Sequence, residues 1–187
     1  MTQPDAQRRE RFELLFERHH PDVVAYVVRR APRAAVEDVV SDTFLVAWRA
    51  LDGVPQEPLP WLYGVARRTL ANHRRGRRRS DALSARLMYT ATPPLEQDVL
   101  GEGVAPPLRE ALLALSERER EAVLLVAWEG LSPAQAASAL GCSGAAFRVR
   151  LHRARGRLAQ LLARTPSERS PQAGCALIEP LSEGGER

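Results

Sequence analysis

Three groups of side chains in this sequence have types and spacings suited to chemistry. The first lies between Ser143 and Arg155. Arg148, Arg153 and Arg155, with His152, share a stretch with the small residues Ala145, Ala146 and Val149. Arginine forks donate in pairs to phosphates and to guanine edges, and small residues let a cationic helix enter a major groove closely. The same pattern also suits an ordinary αα-hairpin with a solvated basic face. The second group is Trp61, Tyr63, Arg67, Arg68, Asn72, His73, Arg74 and Arg75. It mixes aromatic, amide and cationic groups along one helix. Unpaired bases need such stacking surfaces and a cationic track for their backbone. Trp61 suits a buried core position equally well. The third group is Asp38, Asp42, Leu45 and Arg49, which recur at i, i+4, i+7 and i+11. That spacing puts an apolar side chain on an acidic outer helix face. A solvated charged face is the plainer account of it.

No group has the makings of a catalytic centre. The sequence has no Gly-rich phosphate loop, no His/Cys metal cluster and no nucleophile–base triad, so no catalytic residue, metal ligand or cofactor is expected. Cys142 and Cys175 form no C-x-x-C pair, and a disulfide framework is not expected.

The elements that must position these residues are helical. Phe12, Leu15 and Phe16 repeat at helical spacing, and Pro21 can open a second helix holding Val23, Val24, Tyr26 and Val27. Ala34 to Leu51 reads as a third helix, with Val36, Val40, Thr43, Phe44, Ala47 and Trp48 inward. Phe44 is expected in the core. Asp52 to Pro60 reads as a loop, and Trp61 to about Arg75 as a fourth helix. Ser80 to Pro107 has two Pro-Pro pairs and two glycines and reads as a flexible linker that proteases should cut first. Beyond it, Ser116 with Glu119 and Ser132-Pro133 with Gln135 are capping signals for helices from Glu117 and Pro133. Ser143 caps a final helix reaching about Leu162. A short helix, a turn holding Gly141 and a longer helix have helix-turn-helix spacing. The expected fold is all-α: two small helical domains, 1–79 and 108–164, joined by the linker 80–107 and followed by a disordered tail, 165–187.

Composition sets the outer limits. The chain has 187 residues and is 44% hydrophobic, enough for a packed core. Formal charge is +4, and all 27 basic residues are Arg. The longest apolar run, Ala122 to Trp128, is too short to span a bilayer. The polar stretch Met1 to Glu10 does not read as a signal peptide. A cytoplasmic protein without membrane insertion is expected.

Three segments carry a family resemblance. LSPAQAASALGCSGAAFRVRLHRARGRL resembles region 4.2 of bacterial sigma-70 factors, and LREALLALSEREREAVLL before it resembles region 4.1. Ala145-Ala146 stands where the family pattern has Gly-Thr, and Gln135 replaces its usual acidic residue. VEDVVSDTFLVAWRAL resembles region 2.2, with Ser41 and Asp42 at the pattern's Gln and Glu. PLPWLYGVARRTLANHRRGRRR resembles regions 2.3 and 2.4. The chain is thereby similar to group 4, extracytoplasmic-function sigma factors.

That resemblance implies docking on core RNA polymerase, at the beta-prime clamp helices and the beta flap, with Asp38, Asp42, Leu45 and Arg49 on the clamp-facing surface. It implies −10 recognition and melting by Trp61, Tyr63, Arg67, Arg68, Asn72, His73, Arg74 and Arg75. It also implies −35 recognition by Ser143, Ala145, Ala146, Arg148, Val149, His152, Arg153 and Arg155. The loop Asp52 to Pro58 would hold a flipped base. Promoter DNA and an anti-sigma factor are the further partners implied. A helix-turn-helix regulator that never docks on polymerase is the rival reading, and it leaves the acidic helix and the Trp61 to Arg79 helix without a role. A sequestering protein that never touches DNA is a second rival, and it leaves the arginines unexplained.

Overall fold

The computed structural model describes residues 3–87, 100 and 104–164. Among them are seven α-helices and two 3-10 turns, with no strand. The first unit comprises α1 (Gln3–Val28), α2 (Val36–Arg49) and α3 (Pro58–Leu87), with 3-10 turns at Arg33–Ala35 and Leu51–Gly53. The second comprises α4 (Pro106–Leu113), α5 (Glu117–Ala127), α6 (Pro133–Leu140) and α7 (Gly144–Arg164).

Several boundaries differ from those the sequence suggests. Pro21 does not open a new helix but lies within α1. It forfeits one backbone hydrogen bond. Burial of Val23, Tyr26 and Val27 on the same face as Phe12 and Leu15 holds the helix across that gap. The third predicted helix splits into a 3-10 turn followed by α2. The loop expected up to Pro60 ends earlier, because Pro58 begins α3 at a position where a missing N–H costs nothing. At its other end α3 runs on to Leu87, past Arg75 and into the segment read as linker. Residues 88–99 and 101–103 of that segment, and the tail 165–187, lie outside the described residues. Leu100, inside the expected linker, is buried in the core.

The capping signals form as expected. Ser116 and Glu119 make a reciprocal capping box, as do Ser132 and Gln135. The Ala146 amide donates to Ser143 Oγ at 3.2 Å. Gly141 sits at φ 64°, the left-handed conformation that ends α6 and sets the turn into α7.

The two units also share one continuous apolar core. It runs from Val23, Tyr26 and Phe44 through Leu62 and Leu70 to Leu112, Leu124, Phe147 and Leu151. α3 lies directly on α6. Arg30 crosses the boundary, pairing with Glu121 at 2.9 Å and Glu129 at 2.8 Å. Arg29 also pairs with Glu129, and the Tyr26 hydroxyl donates to Glu121 at 2.7 Å.

Candidate nucleic-acid interface

The last helix separates cleanly into two faces. Phe147, Leu151 and Ala154 are buried against α4, α5 and α6, with Leu158 partly buried beside them. The other face carries Ala145, Ala146, Arg148, Val149, His152, Arg153 and Arg155, all exposed. Val149 is 51% exposed, an apolar side chain in a ring of cations. Ser143, exposed, caps the helix start. The helix therefore offers small residues at its open end and guanidinium groups along its flanks, which suits a major groove. Arg150 is the exception among these arginines: it turns toward Cys142, with Nη1 4.0 Å from its sulfur.

On α2, Asp38, Asp42, Leu45 and Arg49 all face solvent, opposite the buried Val39, Val40, Thr43, Phe44 and Ala47. Leu45 is 44% exposed, and its neighbour Val46 is 38% exposed. Phe16 of α1 is exposed too, with its ring edge-on to Phe44 at 4.7 Å. The apolar element of this acidic face is thus wider than Leu45 alone. The extra residues were detectable only after α1 and α2 were packed together.

The group on α3 divides between two faces of its helix. Trp61, Arg68, Asn72 and Arg75 recur at i, i+7, i+11 and i+14, which keeps them on one side. Arg68, Asn72 and Arg75 are exposed, and Arg75 donates to the Asn72 side-chain oxygen. Trp61 is half-buried and packs on the core. Tyr63, Arg67 and Arg74 recur at i, i+4 and i+11 and turn toward the second unit. Tyr63 is buried, its ring stacked on Tyr26 at 4.8 Å, so in this conformation it is not available to stack on a base. Its spacing places it with Leu70 on the core side, and the aromatic type alone did not reveal that. Arg74 donates to Glu117 at 2.7 Å and to the Arg30 carbonyl at 2.9 Å. Arg67 is half-buried, and its Nε finds no acceptor. His73 pairs with Asp42 at 3.0 Å, joining the cationic helix to the acidic one.

The electrostatics of the inter-unit contact follow from burial. Burial pushes the Tyr26 hydroxyl well above its ordinary range, and the Glu121 carboxylate pushes it the same way. Burial raises the Tyr63 hydroxyl as well, with Glu129 adding to it. Burial works against the charge on Arg30, but Glu121, Tyr26 and Glu129 outweigh it and hold the guanidinium protonated. This network was not visible in the sequence, because its partners lie 91 to 100 positions apart.

No group of His, Cys, Asp and Glu able to hold a metal occurs among the described residues. None of their helices is long and apolar enough to cross a membrane.

Comparison with known proteins is consistent on both units. Residues 15–80 match the family model for Sigma-70 region 2, and residues 107–158 match that for Sigma-70, region 4. The RNA polymerase sigma factor NccH of Alcaligenes xylosoxydans xylosoxydans is 33% identical over 70% of this chain and 75% of its own length. The ECF RNA polymerase sigma factor SigF of Caulobacter vibrioides is 35% identical over 75% of this chain and 79% of its own. The sigma factor RpoE of Bartonella quintana, solved in complex with the anti-sigma factor NepR, superimposes with a TM-score of 0.61 at 26% identity, over 82% of this chain and 98% of that one. The chain belongs to the sigma-70 family of RNA polymerase sigma factors, in its extracytoplasmic-function branch.

Proposed function

We propose that this sigma factor docks on core RNA polymerase through the outer face of α2, reads the −35 element with α7, and holds the opened −10 strand along the exposed side of α3. Asp38, Asp42, Leu45 and Arg49 form the docking surface. Arg148, His152, Arg153 and Arg155 supply phosphate and base contacts around Ala145, Ala146 and Val149, with Ser143 at the helix start. Arg68, Asn72 and Arg75, with Trp61 beside them, track the single strand. Arg67 and Arg74 join them once the second unit moves away, His73 once Asp42 releases it, and Tyr63 once its stack on Tyr26 of α1 opens. The chain itself performs no bond chemistry. Polymerase does, in the cytoplasm where it meets the chromosome, and the sigma factor supplies promoter choice and strand separation. An anti-sigma factor is its expected regulator, as NepR is the partner in the Bartonella complex.

One observation supports this reading above the others. The candidate faces of α2 and α7 are open to solvent together, while the contact between the units uses different faces of the bundle.

Run-off transcription with purified core enzyme on genomic fragments tests it. Discrete transcripts should appear only when the chain is added. Duplex binding without any polymerase-dependent transcript would favour a plain helix-turn-helix regulator.

A further inference from the structure

Between the two units lies an open cleft of about 440 Å³. Its walls come from α1, α3, α5, α6 and α7, and its lining is strongly cationic. Arg67 and Arg74 enter from α3, Arg118 and Arg120 from α5, and Arg150 from α7. Arg30 closes the inner end. Only two carboxylates share the lining. Glu121 is committed to Arg30 and Glu117 to Arg74. Among the described residues, Arg67, Arg118, Arg120 and Arg150 have no carboxylate within ion-pair distance. Four positive charges therefore converge on one cleft without protein counter-charge.

Two buried donors sharpen the point. Arg30 is 4% exposed, and although its other nitrogens are bonded, its Nη2 has no acceptor in the protein. Arg67 Nε is likewise buried without one. A buried guanidinium nitrogen left unpaired is costly, and a cleft this size is within the range of small-molecule sites. Guanidinium groups arranged around a space match a phosphate chain, whose oxygens accept in pairs.

We propose that this cleft binds a small polyphosphate anion, the phosphate chain of a nucleotide or its inorganic equivalent. Arg67 and Arg74 grip it from the first unit and Arg118, Arg120 and Arg150 from the second. The anion thereby bridges the units and offsets the like-charge repulsion among these arginines. Because Arg67 and Arg74 also belong to the −10 surface, an occupied cleft withholds them from DNA.

The test is calorimetric titration of the full chain with inorganic triphosphate and, separately, ATP, at constant ionic strength. Saturable one-to-one binding is expected. Arg118→Ala with Arg150→Ala should weaken it by roughly tenfold or more, since each removes a charge-assisted contact. Both residues lie outside the polymerase and promoter surfaces. Arg153→Ala with Arg155→Ala, on the outer face of α7, should leave binding unchanged. If ATP and triphosphate bind equally, the phosphates alone are recognised; if ATP binds tighter, the nucleoside contributes. Absence of saturable binding would overturn the proposal. So would binding that survives the Arg118/Arg150 change, or that is lost equally with Arg153/Arg155.

Discussion

Gly64 of α3 lies directly against the backbone of Ala139 in α6. A Cβ added there would come within 2.9 Å of the Ala139 carbonyl oxygen. That oxygen is backbone inside a helix and cannot swing aside. The glycine is what lets α3 and α6 approach this closely.

Gly64→Ala therefore acts in two opposite directions. It should stabilise α3 itself by up to about 1 kcal/mol through helix propensity. It should weaken the contact between the units by roughly 1–3 kcal/mol, the usual cost of overpacking. A larger radius of gyration by small-angle scattering, with unchanged helicity, is the expected outcome. An equally compact variant would show that this contact does not hold the units together.

Much of the architecture was legible in the sequence because local signals decide it. Ser116, Ser132 and Ser143 each cap the helix that follows them, and Gly141 ends α6 where its φ requires a glycine. The stripe of Val40, Thr43, Phe44 and Ala47 put Leu45 outside, where the structure has it. Failures came where tertiary contacts override local preference. Pro21 is a strong local breaker, yet core packing on both sides carries α1 through it. Tyr63 has the chemistry of a base-stacking residue, but its burial is decided by α1 and the second unit. The contact between units was illegible for the same reason. Nothing in the local pattern around Arg30 points to Glu121 or Glu129, nearly a hundred residues away.

Arg30 and Glu129 form a buried pair, with side chains 4% and 2% exposed. Removing Glu129 leaves the buried Arg30 with Glu121 as its remaining carboxylate and takes the carboxylate from Arg29. Glu129→Ala should cost about 1–3 kcal/mol by urea denaturation, the usual loss when a buried charged group gives up a hydrogen bond. Arg30→Met takes the cation from Glu121 too, and combined with Glu129→Ala it should cost less than the sum of the single changes, because both remove the same Arg30–Glu129 pair. A double variant whose cost equals that sum would argue against coupling between Arg30 and Glu129.

His19 links stability to pH. It is largely buried, and burial first, then the nearby Arg18 charge, hold its pKa below the ordinary value of 6.5. The folded chain thus prefers neutral His19, while the unfolded chain accepts a proton as pH falls through about 6.5. Its contribution is fully present above that value. It is lost as pH falls from there toward the lower folded value. Urea midpoints between pH 8 and pH 5 should drop more for the wild type than for His19→Leu. Parallel curves would mean that His19 does not set this slope.

The proposed docking face of α2 can be altered without touching the core. Leu45→Arg with Asp42→Arg replaces an apolar contact and an acid with two like charges that repel a basic partner. It also breaks the exposed Asp42–His73 pair, which is worth little to stability. Co-purification with core polymerase should be abolished while circular dichroism stays unchanged. A normally helical variant that still co-purifies at wild-type levels would exclude this face from docking.

The two cationic helices should separate by function. α7 presents its arginines around a slim exposed face, so it should act on duplex DNA. Arg148→Ala with Arg153→Ala should weaken duplex promoter binding. It should also reduce the slope of log affinity against log salt by about 2, because two phosphate contacts no longer release counterions. On α3, Arg68 and Asn72 are exposed and packed on nothing in the core, so Arg68→Ala with Asn72→Ala should leave folding and duplex binding nearly unchanged. Strand opening should fall instead, because the backbone track for the unpaired strand is removed. Trp61→Ala should act in the same direction, with added loss of stability because the ring packs on the core. Mobility shifts on duplex promoter and permanganate reactivity of unpaired thymines, both with core polymerase, measure the two steps apart. Equal loss of both activities in the α7 and α3 variants would mean that binding and opening are not divided between these helices.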